Sequence, residues 1–437
     1  MTNRNSKSLF FPDLNRKKVE VNFDGGEITS DAGALLLRQV DEKLKLTETI
    51  AGKISDWRDP SKTHHSILDM LRQRVYGFCL GYEDLNDFHT LRKDTAFKTA
   101  VGVEHDLASQ ASLSRFENQI DRQTLFQINA SFADVFINSQ KVTPQSLILD
   151  FDPSDTRTHG DQIGSRYHGY YGHTCFLPLY VYCGDQLLVC LNREGNADGP
   201  RYAGAILKLL VQRLRREWPK VEIIFRADSA FARPHLLNWC DKNNVSYVIA
   251  MPKNPRLAKL ALPNNKKAAK RYCKTSFPSE SYDSFYYQAD SWAVKRRVVV
   301  KSVYHDDGCS TRFILTNMNY HPELLYKEIY CGRGDMENSI KFHQQQLFSD
   351  RVSCHEFDAN SFRMLLSSIA YILLDHLRRV GLKNTPLEKA EPNTIRLKLL
   401  KIGAVIIKNT RRIRFYLADT FPFQDLFIKT NLIFQPG

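Results

Sequence analysis

Three short runs carry acids in positions that call for a chemical reason. In SLILDFD (residues 146–152) the alternation of a strand places Leu147, Leu149 and Phe151 on one face and Ile148, Asp150 and Asp152 on the other. VEIIFRAD (residues 221–228) likewise ends on an acid, Asp228. A carboxylate at the end of a buried strand is strongly unfavourable unless it is hydrogen-bonded or bound to a metal. The third run is YCGRGDMENSIKFHQQQ, in which Tyr330, Arg333, Glu337, Lys341 and Gln344 are three or four residues apart and share one face of a continuous helix. A helix cap at Asp335 would instead leave Tyr330 and Arg333 in the preceding loop, but Glu337 stays helical either way. Carboxylates held on strands and a helix can together ligate divalent cations through oxygen, and Arg333 and Lys341 beside them can take phosphates. The first acid is open among Asp150, Asp152 and Asp155, with Asp152 preferred because it stands at the strand end before Pro153. The plainer readings are a capping role for Asp228 and a solvated pair with Lys341 for Glu337.

Other residues invite weaker chemistry. His159, His168 and His173 lie in a Gly- and Tyr-rich loop whose spacing matches no usual zinc pattern, so Gln162 and His159 are expected to contact DNA or to position that loop. Arg333-Gly334-Asp335 spells a cell-adhesion tripeptide, read as coincidence because the chain opens with no apolar leader. DLASQASLSRFENQI (residues 106–120) is either a helix-turn-helix presenting Ser112, Ser114 and Arg115 to DNA or an ordinary helical hairpin with a serine cap, and base rates favour the hairpin.

The elements that must position the acids follow from periodicity. Helical spacing runs from about Ile28 to Ala133. From Ser146 come a strand, two more (Cys175–Cys183 and Gln186–Asn192) joined at Gly184-Asp185 as a hairpin, an amphipathic helix over Arg201–Trp218, the strand ending at Asp228, a helix over Arg233–Asn243 and a strand over Val245–Met251. That β-β-β-α-β-α-β order is the order of an RNase H-like fold, an α/β class with a mixed five-stranded sheet of order 3-2-1-4-5. In such a sheet the strands ending at Asp152 and Asp228 are neighbours. Basic segments such as NNKKAAKRYCK and VKRRVVVKSVY suggest a β-rich insertion, after which helical pattern resumes at Glu323. The expected organisation is therefore a helical DNA-binding region (1–145), the first part of the core (146–251), the insertion (252–322), the Glu337 helix with its successor (323–380) and a basic C-terminal region (381–437).

Composition narrows the partner. The 437 residues are 43% hydrophobic and 25% charged, which excludes a largely disordered chain, and no apolar run is long enough to span a bilayer. Nine cysteines without a CxxC pair give neither a disulfide framework nor a zinc ribbon. The formal charge of +13 points to a polyanion. Eleven bases stand against two acids between His376 and Tyr416, so Arg411, Arg412 and Arg414 are candidate phosphate contacts. The expected setting is the cytoplasm.

QRVYGFCLGYEDLND, SLSRFEN, LDFDPSD with HGDQ behind it, FRADSAFAR and YCGRGDMENSIK together resemble the DDE transposases of bacterial insertion sequences, in the branch with a Tyr-x-x-Arg-x-x-x-Glu helix. The resemblance covers most of the chain. It implies an RNase H-like catalytic domain, two Mg²⁺ ions that Mn²⁺ can replace, and Asp152, Asp228 and Glu337 as the catalytic and metal-binding triad. It also implies duplex DNA as partner, both terminal inverted repeats and target, with a homodimer on DNA and no membrane. The branch carries a Lys seven residues after its Glu; here that position is Gln344, a departure that removes the Lys which would contact phosphate. The rivals are an RNase H-like nuclease or resolvase without strand transfer, and a domesticated DNA-binding protein without catalysis.

Overall fold

The computed structural model describes residues 8–435, so the first half of the N-terminal stretch read for a leader lies outside the described residues. The chain divides into two compact units, one of Gly52–Ser55 with Glu117–Ile372, and one of Met1–Ala51, Asp56–Phe116 and Leu373–Gly437.

The first unit is built on one eight-stranded mixed sheet. In chain order its strands are β1 (Ser146–Pro153), β2 (Leu179–Cys183), β3 (Gln186–Leu191), β4 (Glu222–Ala227), β5 (Ser246–Met251), β6 (Ser279–Tyr287), β7 (Arg296–His305) and β8 (Gly308–Thr316). Across the sheet they run β3-β2-β1-β4-β5-β8-β7-β6, with β4 parallel to both β1 and β5. The sheet is thus larger than the five strands expected. The segment read as a separate β-rich lobe adds β8, β7 and β6 to the open edge of β5. NNKKAAKRYCK is not β-like either: it lies in a 21-residue helix, Pro255–Thr275, where alanines and lysines are good helix formers and Asn254 caps the first turn. The strand expected over Cys175–Cys183 is broken at Leu177-Pro178, because a proline has no N–H for the ladder; Cys175 and Phe176 belong to a small separate sheet.

The strand alternation decides which face does what. Leu147, Leu149 and Phe151 of β1 and Ile223, Phe225 and Ala227 of β4 point into the main core, filled from above by the helices Arg122–Ser139, Ala203–Glu217 and Pro234–Lys242. The opposite face presents Ile148 and Ile224, covered by Leu325, Tyr326, Ile329 and Tyr330 of the segment leading into the helix Arg333–Lys341. That face also carries the acids.

The second unit joins the chain ends. The strand Glu27–Thr29 pairs with Ala404–Lys408, which pairs in turn with Ile413–Leu417. Around them lie helices including Ala34–Leu44 and Ile67–Leu80, the latter closed by a Ser66–Asp69 capping box. The front end is therefore not all helical. A hairpin of Leu9–Leu14 and Lys17–Val21 opens it.

Candidate active site

Parallel pairing of β1 and β4 sets Phe151 opposite Ala227, so one residue further on Asp152 and Asp228 leave the two strands side by side. Each acid near this edge has a different environment. Asp150 is 0% exposed and clamped by Arg226, whose Nη2 donates to it at 2.6 Å while Nε donates to its other oxygen. The Arg226 Nη1 group donates to the Ile329 carbonyl, so the same guanidinium ties two strands to the helical segment above them. A Cβ at Gly332 would come within 2.8 Å of that nitrogen, which accounts for a glycine just before the helix. Asp155 is engaged by His173 at 2.7 Å.

Asp152 remains. Its side chain is 15% exposed and contacts Arg333 Nη2, while Arg333 Nη1 donates to Glu337 at 2.6 Å. Burial pushes the Asp152 carboxyl up to about 6, and the charges of Asp228 and Glu337 add to the rise against the opposing pull of Arg333. Burial works against the Arg333 charge, yet Asp152, Glu337 and Asp228 outweigh it and hold its pKa above the ordinary value. Asp228 accepts from the Ala230 N–H at 2.9 Å, so it also caps the short turn that follows. The sequence Tyr330 to Gln344 runs through one nearly continuous helical stretch, with Gly332 already in helical geometry, so the cap at Asp335 does not form. Tyr330 is half-buried against Tyr326, with ring centroids 5.5 Å apart, and Lys341 is exposed.

Among the described residues, no three His, Cys, Asp or Glu side chains stand together as a metal-binding group. The reason is visible: the Arg333 guanidinium lies between Asp152 and Glu337. The donor chemistry nonetheless fits a hard divalent cation, because the set is all carboxylate oxygen and a positive charge already stands among it.

Several sequence readings change here. Of the two roles expected of Gln162, its geometry serves the positioning of its loop: it is buried and donates to the Val352 carbonyl at 2.5 Å, whereas His159 is exposed. Gln344, noted only as a departure, donates to Ser154 Oγ at 3.2 Å and to the Asp155 carbonyl at 3.0 Å, fastening the turn after Asp152. Arg226 was missed, although its place two residues before Asp228 puts it on the acid-bearing face. Arg333-Gly334-Asp335 lies on the helix with its arginine engaged by Asp152 and Glu337. On the helix Gln110–Asn118, Ser112 and Arg115 bond to each other at 3.3 Å.

The basic stretch is not one surface. Arg396 is 8% exposed and donates to the Phe78 and Cys79 carbonyls, Arg378 and Arg379 pair with Asp375, and Lys401 pairs with Asp31. Arg411, Arg412 and Arg414 are exposed at the turn of the Ala404–Leu417 hairpin, where Asn409 Oδ1 accepts from the Arg411 and Arg412 N–H groups.

The model of the family described as "Transposase DDE domain group 1" matches residues 11–436. No curated protein sequence matches the chain. Among solved structures, the chain is similar to a piggyBac transposase synaptic complex with hairpin DNA, determined by cryo-electron microscopy, at 12% identity over 85% of this chain and 80% of that one, with a TM-score of 0.41.

Proposed function

We infer the working parts of this protein from the premise that the chain belongs to the family of transposase DDE domains, group 1, and is a DNA transposase. The proposed catalytic unit is RNase H-like, and its proposed triad is Asp152, Asp228 and Glu337. What supports this reading is that Asp152 and Asp228 leave neighbouring strands side by side, that Arg333 links Asp152 to Glu337, and that Asp150 and Asp155 are already engaged by Arg226 and His173. These three would hold Mg²⁺, or Mn²⁺ in its place; when bound, such ions stabilise charge on the attacking and leaving oxygens of a phosphodiester. Arg226 and Gln344 hold the two strand ends still. Tyr330, Arg333 and Lys341 are the proposed contacts to the DNA beside the cleaved bond, and the exposed arginines of the Ala404–Leu417 hairpin are proposed contacts to duplex phosphates. The substrates proposed are the terminal inverted repeats of a bacterial insertion sequence and a target duplex, brought together by a homodimer.

The test is incubation of the full chain with Mg²⁺ and a duplex carrying the repeats that flank its own gene. End cleavage followed by joining to a second duplex supports the reading. Cleavage without any joined product would make the protein a nuclease.

Two further outcomes are expected. Asp152 must be ionised to serve as a ligand, and burial raises its pKa in the metal-free protein to about 6, so protons compete with the cation and cleavage should fall as the pH drops toward and below that value. Arg333→Gln removes the charge that opposes the rise, and the midpoint of the pH profile should move upward. Arg411→Ala, Arg412→Ala and Arg414→Ala together should flatten the log–log salt dependence of duplex binding by about 1 to 3 units, at ~0.9 per lost phosphate contact. An unchanged slope in a salt titration would assign those arginines to solubility alone.

A further inference from the structure

Within the sheet unit, on the other side of the loop that follows β3, a cavity of ≈ 820 Å³ opens between the helices Arg122–Ser139 and Ala203–Glu217. It contains none of the three acids. Its floor is apolar, with Leu125, Val189, Leu191, Ile206 and Leu210. Two aromatic rings stand open to solvent at its walls: Phe126 at 59% exposure and Tyr202 at 50%. Tyr202 adopts φ 69°, a left-handed conformation that a bulky side chain rarely holds without a local reason.

Three buried side-chain atoms of residues lining this cavity have no hydrogen-bond partner: Arg193 Nη2, Asn192 Oδ1 and Asp358 Oδ1, the last facing Arg122 Nε at 3.7 Å. Arg193 is 2% exposed; its Nε donates to the Leu177 carbonyl at 2.7 Å and its Nη1 to Gly199 and Arg201 carbonyls at 2.8 and 3.0 Å, but Nη2 bonds to nothing. Next to it Asn192 donates through Nδ2 to Ser361 at 3.1 Å, leaving Oδ1 without a donor. An unmatched buried donor or acceptor costs about 1–3 kcal/mol, so an orphaned donor and an orphaned acceptor on adjacent residues point to an occupant that offers both an acceptor and a donor. Five arginines stand against three acids around the cavity: Arg122 faces Asp358 at 3.7 Å, Arg201 faces Glu194 at 4.0 Å and Arg213 pairs with Asp134 at 2.6 Å, so the uncompensated positive charge is that of Arg193 and Arg216. The occupant is therefore an anion with a flat, hydrogen-bonding apolar body.

We propose that this cavity binds a single nucleotide: the base stacks by Phe126 over the apolar floor, its edge meets Arg193 and Asn192, and its phosphate lies on the arginine rim. The source is either a free nucleotide or an unpaired nucleotide in a DNA strand, the latter resting on the DNA reading above. Either would act close to the acids. Three of the carbonyls gripped by Arg193, those of Asp198, Gly199 and Arg201, belong to the loop holding Gly199, and a Cβ there would meet Pro153 and Ala230 at 3.6 Å, just beyond Asp152 and Asp228.

The experiment uses the full chain with EDTA present, so that it reads binding and not cleavage. Labelled duplexes that are fully paired, carry one unpaired adenosine, or carry an abasic site in its place are compared by fluorescence anisotropy, and dAMP is followed by saturation-transfer NMR. Stacking and edge bonding should make the unpaired-adenosine duplex bind about tenfold more tightly than the other two. Ala130→Trp, which fills the cavity from an exposed helix position, should abolish that preference while leaving the paired duplex unaffected. A dAMP signal lost in Ala130→Trp, without any preference among duplexes, supports the pocket and assigns it to free nucleotide. Equal binding of all three duplexes with no dAMP signal, or a preference that survives Ala130→Trp, overturns the proposal. Failure of the transposase reading would show separately, as absent cleavage once Mg²⁺ is restored.

Discussion

Asp152→Asn, Asp228→Asn and Glu337→Gln should each lose end cleavage by on the order of a thousandfold or more, because residues that act as one unit are not partly replaceable. The loss should appear in the chemical step and not in duplex affinity. The positive surface is untouched, and removing a negative charge beside phosphates lowers repulsion, so binding stays constant or tightens. Gel analysis of cleavage, with anisotropy of binding on the same preparations, separates the two. Full cleavage by any one of the three variants would remove that residue from the triad, and an active Asp152→Asn with an inactive, well-folded Asp150→Asn would move the first acid two residues back.

Asp150→Ala should fail for a different reason. It strands the Arg226 guanidinium in a site where Arg226 and Asp150 are 6% and 0% exposed, and removing one partner of such a buried pair destabilises by about 3–5 kcal/mol. Chemical denaturation should show that loss, whereas Asp152→Ala, with a partly solvated carboxylate, should unfold near the wild-type midpoint. The double variant Asp150→Ala with Arg226→Leu should recover much of the stability, since no charge is then left unpaired. If Asp150→Ala is as stable as wild type, the ion pair is not what holds β1, β4 and the Ile329 segment together.

The acids were legible because alternation in two short strands and a three-four spacing in a helix are strong local signals. Pro153 after Asp152 and the run IIFRAD needed no long-range information. What escaped was non-local. The partner of Asp150 is Arg226, 76 residues away, and nothing in SLILDFD reveals which acid that arginine takes. The three strands that extend the sheet beyond β5 could not be read as part of it, because the free edge of β5 exists only once the sheet is assembled. NNKKAAKRYCK was read as part of a β-rich insertion, while its alanine content and the Asn254 cap favoured a helix. The C-terminal bases were overcounted as one track because burial of Arg396 depends on carbonyls of Phe78 and Cys79, over 300 residues earlier.

The account stands on Asp152, Asp228 and Glu337 acting together as ligands, although Arg333 lies between two of them in the free protein. Electron paramagnetic resonance of Mn²⁺ titrated into the protein bound to an end-containing duplex measures this without reference to turnover. Tight ions in the wild-type complex, lost or reduced in Asp152→Asn, Asp228→Asn and Glu337→Gln, are the predicted result; the same number of tightly held ions in all four proteins would contradict it.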